Sequence, residues 1–492
     1  MSHPTNPTAQ GRDFGSARYR WYVLITLTAI YTLNFIDRAL LSVLAQPVIS
    51  TFGLTDTEFG FLAGPPFALF YALMGIPIAL AADRYNRVTI ISVCIAIWSL
   101  MTALCGFATG FLFLLIARVG VAIGEAGSTP PSNSLIGDYY RASARAKALA
   151  IFSTGVMLGN TLAYLVGGPL GQMSDESVKA VLGIFGLSQL PEWLGWGTDY
   201  GWRFAFMALG VPGVIFAFIV WLTVREPPRG YADASTTAPE KTGISATFSL
   251  LLTKRSYWYM TAGASLVAMV GYGLVSFQAP MMQRLHGMAP GEFALRFGVP
   301  LSVAGAFGTL LAGYVIDALN KRTIRAVAIW PAITMALATP LYILAFNQPG
   351  DRLDLALVLW LLAALLHYGY LGAQYTIGQG VVPASSRASA IAIMLFIIAL
   401  VGNGLGPQVV GLMSDSFMSA ALEARGVADS LSVAACNPKA VALLTPDDQL
   451  ICSTVYAEGL QNSMSLTALF MLPAAWFFYL SSRTLDREML AR

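Results

Sequence analysis

Charge is what this chain has least of. Asp, Glu, Lys and Arg make up 11% of its 492 residues, against about 25% in an average soluble domain. The hydrophobic share is 56% and the mean hydropathy +0.64. A chain so composed cannot cover a water-facing surface, and the predicted class is a polytopic membrane protein. Histidine is scarcer still. His3, His286 and His367 are the full set, and with four scattered cysteines they exclude the usual zinc-ligand spacings. No GxSxG, Walker A or HExxH motif occurs, so an enzyme reading has no site to stand on, and neither metal nor cofactor is expected. The net charge of +3 is spread along polar connections, which argues against nucleic-acid binding. Residues 1–20 are polar and the first apolar run is full length, so no cleavable leader is expected.

What the chain has in plenty is long apolar segments, about twelve of roughly 20–27 residues each. They fall near 21–47, 58–80, 88–109, 112–136, 146–170, 203–224, 257–282, 298–318, 323–346, 354–380, 388–412 and 464–482. The predicted fold is an all-α membrane protein of twelve transmembrane helices in two pseudo-symmetric six-helix bundles. The first bundle spans 21–224 and the second 257–483, with tails at 1–20 and 484–492. REPPRGYADASTTAPEKTG lies within a connection over 225–256 that reads as a flexible linker, and 413–463 reads as a long outside loop. With the N-terminus inside, the inner connections hold about 20 of the 29 Lys and Arg. Both termini are therefore expected in the cytoplasm.

Internal repeats support two bundles. ALAADRYNRV (79–88) matches GYVIDALNKR (313–322), ASARAKA (142–148) matches ASSRASA (384–390), and GQMSD (171–175) matches GLMSD (411–415). Gly159-Asn160 and Gly402-Asn403 lie between the last two pairs. Parallel six-helix repeats are the mark of a secondary transporter with its site between the halves near midplane.

Four charges remain inside apolar segments: Asp37 and Arg38 in the first, Arg118 and Glu125 in the fourth. A charge at membrane depth costs several kcal/mol unless paired or wetted, and so marks a functional site. Arg118 and Glu125, seven residues apart, share one helix face about 10 Å apart along the axis. Gly120 and Gly124 form a GxxxG pair that admits a close neighbour, and Pro130 predicts a kink just past Glu125. Counted from the outer helix ends, Asp37 lies roughly 15 Å deep, Arg118 roughly 10 Å and Glu125 roughly 21 Å. Cross-pairs Asp37–Arg118 and Arg38–Glu125 are therefore expected. Desolvation raises a carboxylate's pKa and a nearby guanidinium lowers it. A network alternating between dry-paired and wet-unpaired states would couple to protons through Asp37 and Glu125. The same four charges would also serve as a static cluster fixing two helices. Arg118 offers a planar fork that holds a phosphate bidentately, or it only neutralises Asp37.

The second half carries no intramembrane charge. Its polar candidates are Tyr272, Ser276, Gln278, His367, Tyr368, Tyr370, Gln374, Tyr375 and Gln379, with His367, Tyr370 and Gln374 on one helical face. A polar first half opposite an apolar second half suits an amphipathic ligand, and Arg38, Arg118, Tyr272, Gln278, His367, Tyr370 and Gln374 are its candidate contacts. Asp83, Arg84 and Arg87, with Asp317, Lys321 and Arg322 as pseudo-equivalents, are candidate gate residues at the cytoplasmic edge, Asp83 accepting from Arg87. Cys436 and Cys452 would close a loop of about 16 residues in the outside segment, a bond worth roughly 3 kcal/mol in the chain-entropy model.

These features resemble the major facilitator superfamily over nearly the whole length, with Ala79, Asn86 and Val88 departing from its loop motif. LNFIDRALLSVLAQPVI (33–49), RVGVAIGEAGSTPPSNSLIGDYY (118–140) and GWRFAFMALGVPG (201–213) are more specifically similar to the Spinster family. That resemblance implies that Asp37, Arg38, Arg118 and Glu125 are the functional charges. It also implies a proton-linked carrier of lysophospholipids or sphingoid-base phosphates. Transport of small organic anions is the alternative, because related families place a DR pair in the same helix. Short loops and the lack of any N-x-S/T sequon point to a bacterial inner-membrane protein, expected to act as a monomer with protons, bilayer and amphiphile as its partners.

Overall fold

The computed structural model describes residues 13–232, 244–321 and 323–490, and among these every regular element is helical. Among the described residues twelve helices are long and apolar enough to cross a membrane. The first six are α1 (Ala17–Val43), α2 (Asp56–Arg84), α3 (Arg87–Gly106), α4 (Phe111–Tyr139), α5 (Ser143–Gly171) and α6 (Tyr200–Thr223). The second six are α7 (Arg255–His286), α8 (Pro290–Leu319), α9 (Ala326–Phe346), α10 (Gly350–Gly380), α11 (Arg387–Ala424) and α12 (Pro446–Glu488). The end at which α1 starts is termed the near end, and the end at which it finishes the far end.

Proline explains most of the irregularities. Five-residue and six-residue π turns at Ala163–Gly167, Ala294–Gly298 and Leu400–Leu405 interrupt α5, α8 and α11. Each ends two residues before a proline: Pro169, Pro300 and Pro407. A mid-helix proline lacks the N–H donor and its ring presses on the carbonyl four residues back, and a widened turn relieves that clash. In α4 the regular helix stops at Glu125 and resumes at Thr129, ahead of Pro130 and Pro131.

Two compact units form. One comprises Met1–Leu40, Phe70–Ala163 and Val178–Pro239. The other comprises Leu41–Leu69, Tyr164–Ser177 and Glu240–Arg492. Lipid tails are as apolar as leucine, so helices associate by close backbone packing, which glycine permits. In the first unit a Cβ on Gly124 would lie 2.7 Å from the Trp98 backbone nitrogen, bringing α4 against α3. One on Gly159 would lie 2.6 Å from the Thr32 carbonyl oxygen, bringing α5 against α1. The repeat partner Gly402 makes the matching approach in the second unit, where a Cβ would lie 2.6 Å from Ala268 Cβ of α7.

Three stretches differ from the sequence expectation. The segment 413–463 is mostly helix, because α11 runs on to Ala424 and α12 starts at Pro446. Hydropathy falls there, but the two helices keep an apolar seam that includes Met418, Leu422, Cys452 and Val455. In the connection 225–256, the first residues are tied to the first unit. Tyr139 donates to the Arg225 carbonyl at 2.5 Å, and Arg229 donates to the carbonyls of Ala82 and Tyr85 at 2.7 and 2.9 Å. Its last part holds a helix, Ile244–Leu251.

Candidate functional site

The intramembrane charges cluster in the first unit. Arg38 Nε donates to Glu125 Oε2 at 2.5 Å. Glu125 is fully buried, while the Arg38 side chain keeps 18% exposure. The Arg38 guanidinium lies between two rings, 4.5 Å from the Tyr71 centroid and 5.3 Å from that of Phe35. Asn34, one turn back on α1, faces Glu125. Arg118 Nη1 donates to the backbone carbonyl of Asp37 at 3.4 Å. The Asp37 side chain is buried within electrostatic range of Arg118 and Glu125, with Thr102 and Trp98 of α3 turned toward it. Sequence-adjacent Asp37 and Arg38 thus serve different partners, as a 100° turn between neighbours on a helix allows. The arrangement joins α1 to α4 by two charge contacts and leaves one member, Arg38, accessible.

The polar candidates of the second half spread more widely. His367 is buried, with Nδ1 3.3 Å from the Tyr342 hydroxyl and its ring beside Tyr368. A 3₁₀ turn at Tyr368–Tyr370 lies between it and Gln374, and His367, Tyr370 and Gln374 are all buried. Tyr370 stacks on Phe478, and Gln374 is buried. Gln278 is buried against the Tyr164 hydroxyl. Tyr272 and Tyr375 are exposed, and the Ser276 hydroxyl donates to the Tyr272 carbonyl.

At the near end of the first unit, Arg87 is the buried centre of a clasp. Its guanidinium donates to Asp138 at 2.5 Å, Glu226 at 2.6 Å, Ser134 at 2.8 Å and the Pro227 carbonyl at 3.0 Å. Glu226 also accepts the Arg87 backbone N–H, so it caps α3. Asp83 and Arg84 are exposed, and the carboxylates on Arg87 are Asp138 and Glu226 rather than Asp83. Asp317 and Lys321 are exposed, and Arg322 lies outside the described residues.

A second charged cluster stands at the far end, within the second unit. Arg284 near the end of α7 holds Asp56 at the start of α2 with two bonds of 2.7 Å. Both side chains are almost fully buried, at 4% and 0% exposure. Ser414 donates to Asp56 at 2.6 Å, Gln46 accepts from Arg284 at 2.8 Å, and the Tyr456 ring covers the guanidinium at 3.6 Å. Asp415 accepts the Asp56 and Thr57 backbone N–H groups. A carboxylate at the positive end of α2 is favourable, and the bidentate fork is the strongest form of such a pair.

Comparison with known proteins fixes the family. A family model described as Major Facilitator Superfamily matches residues 27–407. A solved structure of a bacterial homologue of the human lysosomal transporter Spinster, inward-facing and unoccupied, shares 46% sequence identity, with a TM-score of 0.89 over 97% of this chain and 100% of that one. The chain is a major facilitator superfamily transporter of the Spinster family. It is 32% identical to an MFS-type efflux pump of Mycolicibacterium smegmatis, over 82% of this chain and 86% of that protein. It is 24% identical to Protein spinster of Drosophila melanogaster, over 84% of this chain and 65% of that one.

Sequence reasoning about this Spinster-family protein passed over the far-end cluster and the true partners of Arg87. Asp56 and Arg284 fall just outside the apolar segments 58–80 and 257–282, one before its start and one past its end, so they counted as loop charges. Two signals were present. Thr55 and Glu58 form a capping box that places Asp56 in the first helical turn. Asp415 belongs to the repeated MSD motif.

Proposed function

We propose that this transporter moves amphipathic, lipid-like molecules of the lysophospholipid or sphingoid-phosphate type, driven by protons, by alternating access. The observation that carries the reading is the Arg38–Glu125 contact: a fully buried carboxylate held at 2.5 Å by a guanidinium whose side chain keeps 18% exposure. An anionic headgroup arriving at Arg38 competes with Glu125 for the same donors. When the headgroup takes the guanidinium, Glu125 loses its counter-ion and binds a proton instead, because an unpaired buried carboxylate is costly to keep charged. Substrate and proton then occupy linked sites. Arg118, anchored on the Asp37 carbonyl, is the second headgroup donor, and Asp37 the second proton site. Tyr272, Gln278, His367, Tyr370 and Gln374 are the proposed contacts for the apolar chain; Tyr272 keeps an exposed ring and the other four are buried.

The Lys and Arg bias supports both termini in the cytoplasm of a bacterium, the inner membrane as the site, and the far end facing the periplasm. In this orientation the Asp56–Arg284 cluster closes the periplasmic side and must part for outward opening. The Arg87 clasp stiffens the cytoplasmic edge, and the exposed Asp83, Arg84, Asp317 and Lys321, with Arg322, supply the gate charges. The protein acts as a monomer. Proteoliposome uptake with a panel of lysolipids and small organic acids, with and without a pH gradient, tests the reading. Gradient-dependent lysolipid uptake is expected. Gradient-dependent uptake of organic acids alone would replace the lipid with a water-soluble anion, and uptake indifferent to the gradient would remove the proton.

A further inference from the structure

Beyond the membrane, α11 and α12 carry a cap. Residues 425–445 join them with only a single 3₁₀ turn at Val441–Leu443. A small core of Met418, Leu422, Leu431, Val455 and the two half-cystines holds the cap together. Cys436 and Cys452 are bonded, with Cα atoms 5.0 Å apart and 16 residues between them in sequence.

Each half-cystine stands beside a contact that bears on the turn joining α1 and α2, one direct and one through Arg284. Tyr456 is one helical turn beyond Cys452, packs on the cap core, and covers the Arg284 guanidinium that grips Asp56. On the other strand, Asn437 follows Cys436 directly. Its amide oxygen accepts the N–H groups of Lys439 and Ala440, which fixes the local turn. That turn meets Gly53. A Cβ there would lie 3.1 Å from Lys439 Cβ and 3.2 Å from the Asn437 amide oxygen. Gly53 has φ +67°, the left-handed conformation that ends the short helix Ala45–Phe52. Only glycine combines that conformation with so close an approach. The cap therefore meets the 53–56 turn directly at Gly53 and, through the Arg284 guanidinium, at Asp56.

We infer that the disulfide-closed cap is a latch on the far-end gate, holding the α1–α2 turn closed through Tyr456 and the Asn437–Lys439 turn. This rests on the reading of the far-end cluster as a gate. With so few buried side chains, the cap owes its fixed shape largely to the cross-link, which restricts the unfolded loop. The Tyr456 ring face stabilises a desolvated guanidinium, and the glycine contact sets the height of the turn. A dithiol reductant transfers two electrons to the bridge. The S–S bond breaks, the two sulfurs take up protons as thiols, and the reductant leaves as its own disulfide. The cap then loosens and its two contacts no longer act together.

Hydrogen–deuterium exchange of the intact protein, read by mass spectrometry, tests this with no label and no substrate. Dithiol-treated wild type and the Cys436→Ser, Cys452→Ser double variant are expected to exchange the amides of 50–58 about thirtyfold faster, the size of a lost desolvated cation–π contact. Tyr456→Leu should do the same with the bridge intact, and Tyr456→Phe, which keeps the ring, should not. Amides of α3 should be unchanged in all cases. Faster exchange confined to 425–445, with thiol counting proving reduction, would overturn the latch. The readout needs no flux, so failure of the transport reading would show separately as a protein whose 50–58 exchange responds but which moves no substrate.

Discussion

The Arg38–Glu125 contact makes an asymmetric prediction about its two members. Glu125→Gln leaves behind a guanidinium that is 18% exposed and stacked between Tyr71 and Phe35, with a side-chain oxygen still able to accept from it. The loss is the difference between a charge-assisted and a neutral hydrogen bond, about 1 kcal/mol. Arg38→Gln leaves a carboxylate with no exposure and no direct counter-ion. Breaking a buried pair in that way costs about 3–5 kcal/mol, and the lower figure applies because Arg118 remains within electrostatic range. The two single variants should therefore differ by about 2 kcal/mol. Adding Glu125→Gln to Arg38→Gln should restore stability, because it removes the stranded charge. Thermal unfolding of the purified protein in detergent, followed by tryptophan fluorescence, ranks the four proteins. A double variant less stable than Arg38→Gln, or a Glu125→Gln as damaging as Arg38→Gln, would refute the claim that the burial difference governs the pair.

Other expectations are more direct. The Asp37→Asn, Glu125→Gln double variant should fold but lose pH-gradient-driven uptake in proteoliposomes; full gradient-driven uptake would remove both from the proton path. Arg118→Lys keeps the charge but not the planar fork, so headgroup binding measured by calorimetry should weaken by about tenfold or more with little change in melting temperature; normal binding would leave Arg118 as a counter-ion to Asp37. Arg87→Ala strands Asp138 and Glu226 and should cost about 3 kcal/mol, whereas Asp83→Asn at an exposed position should stay within about 0.5 kcal/mol; equal losses in thermal unfolding would contradict the clasp. Asp56→Asn leaves the Arg284 charge without its bidentate partner and should make the 46–57 segment accessible to protease or exchange; a protected segment would mean that Asp415 and Tyr456 suffice.

Some of this architecture was readable from residue order, and the reason is physical. Spanning helices must satisfy their backbone within an apolar length, so twelve hydropathic runs translate directly into α1 to α12. Repeats in matched order pointed to two halves, and counting helical rise put Asp37 and Arg38 between Arg118 and Glu125 in depth, within reach of the Arg38–Glu125 pair. The break after Glu125 followed from Pro130. Local patterns failed where a partner lies far along the chain. Arg87 meets Asp138 and Glu226, 51 and 139 residues away, and no spacing rule connects them. Asp83, four residues from Arg87, was a local guess that tertiary contact overrode. The 3₁₀ turn at Tyr368–Tyr370 has no proline or glycine pair to announce it, so the change of winding between His367 and Gln374 was not legible in the sequence. Hydropathy also ended α7 and began α2 too early and too late, respectively, hiding Arg284 and Asp56.

The π turns have a consequence for angular phase. Each widened turn admits an extra residue into the helix, and one residue is about 100° of rotation. Positions beyond 167 in α5, 298 in α8 and 405 in α11 are therefore out of step with the wheel drawn from the residues before them. A cysteine scan along any of these three helices should show its 3.6-residue wave of accessibility slip at the π turn and resume with a shifted crest. The same slip means that a covarying or engineered pair chosen by uninterrupted periodicity across the turn will point apart. The repeat does not carry the offset over unchanged: Gly402-Asn403 lie within the turn of α11, whereas Gly159-Asn160 precede the turn of α5, so a position in one helix cannot be mapped onto the other by the repeat alone.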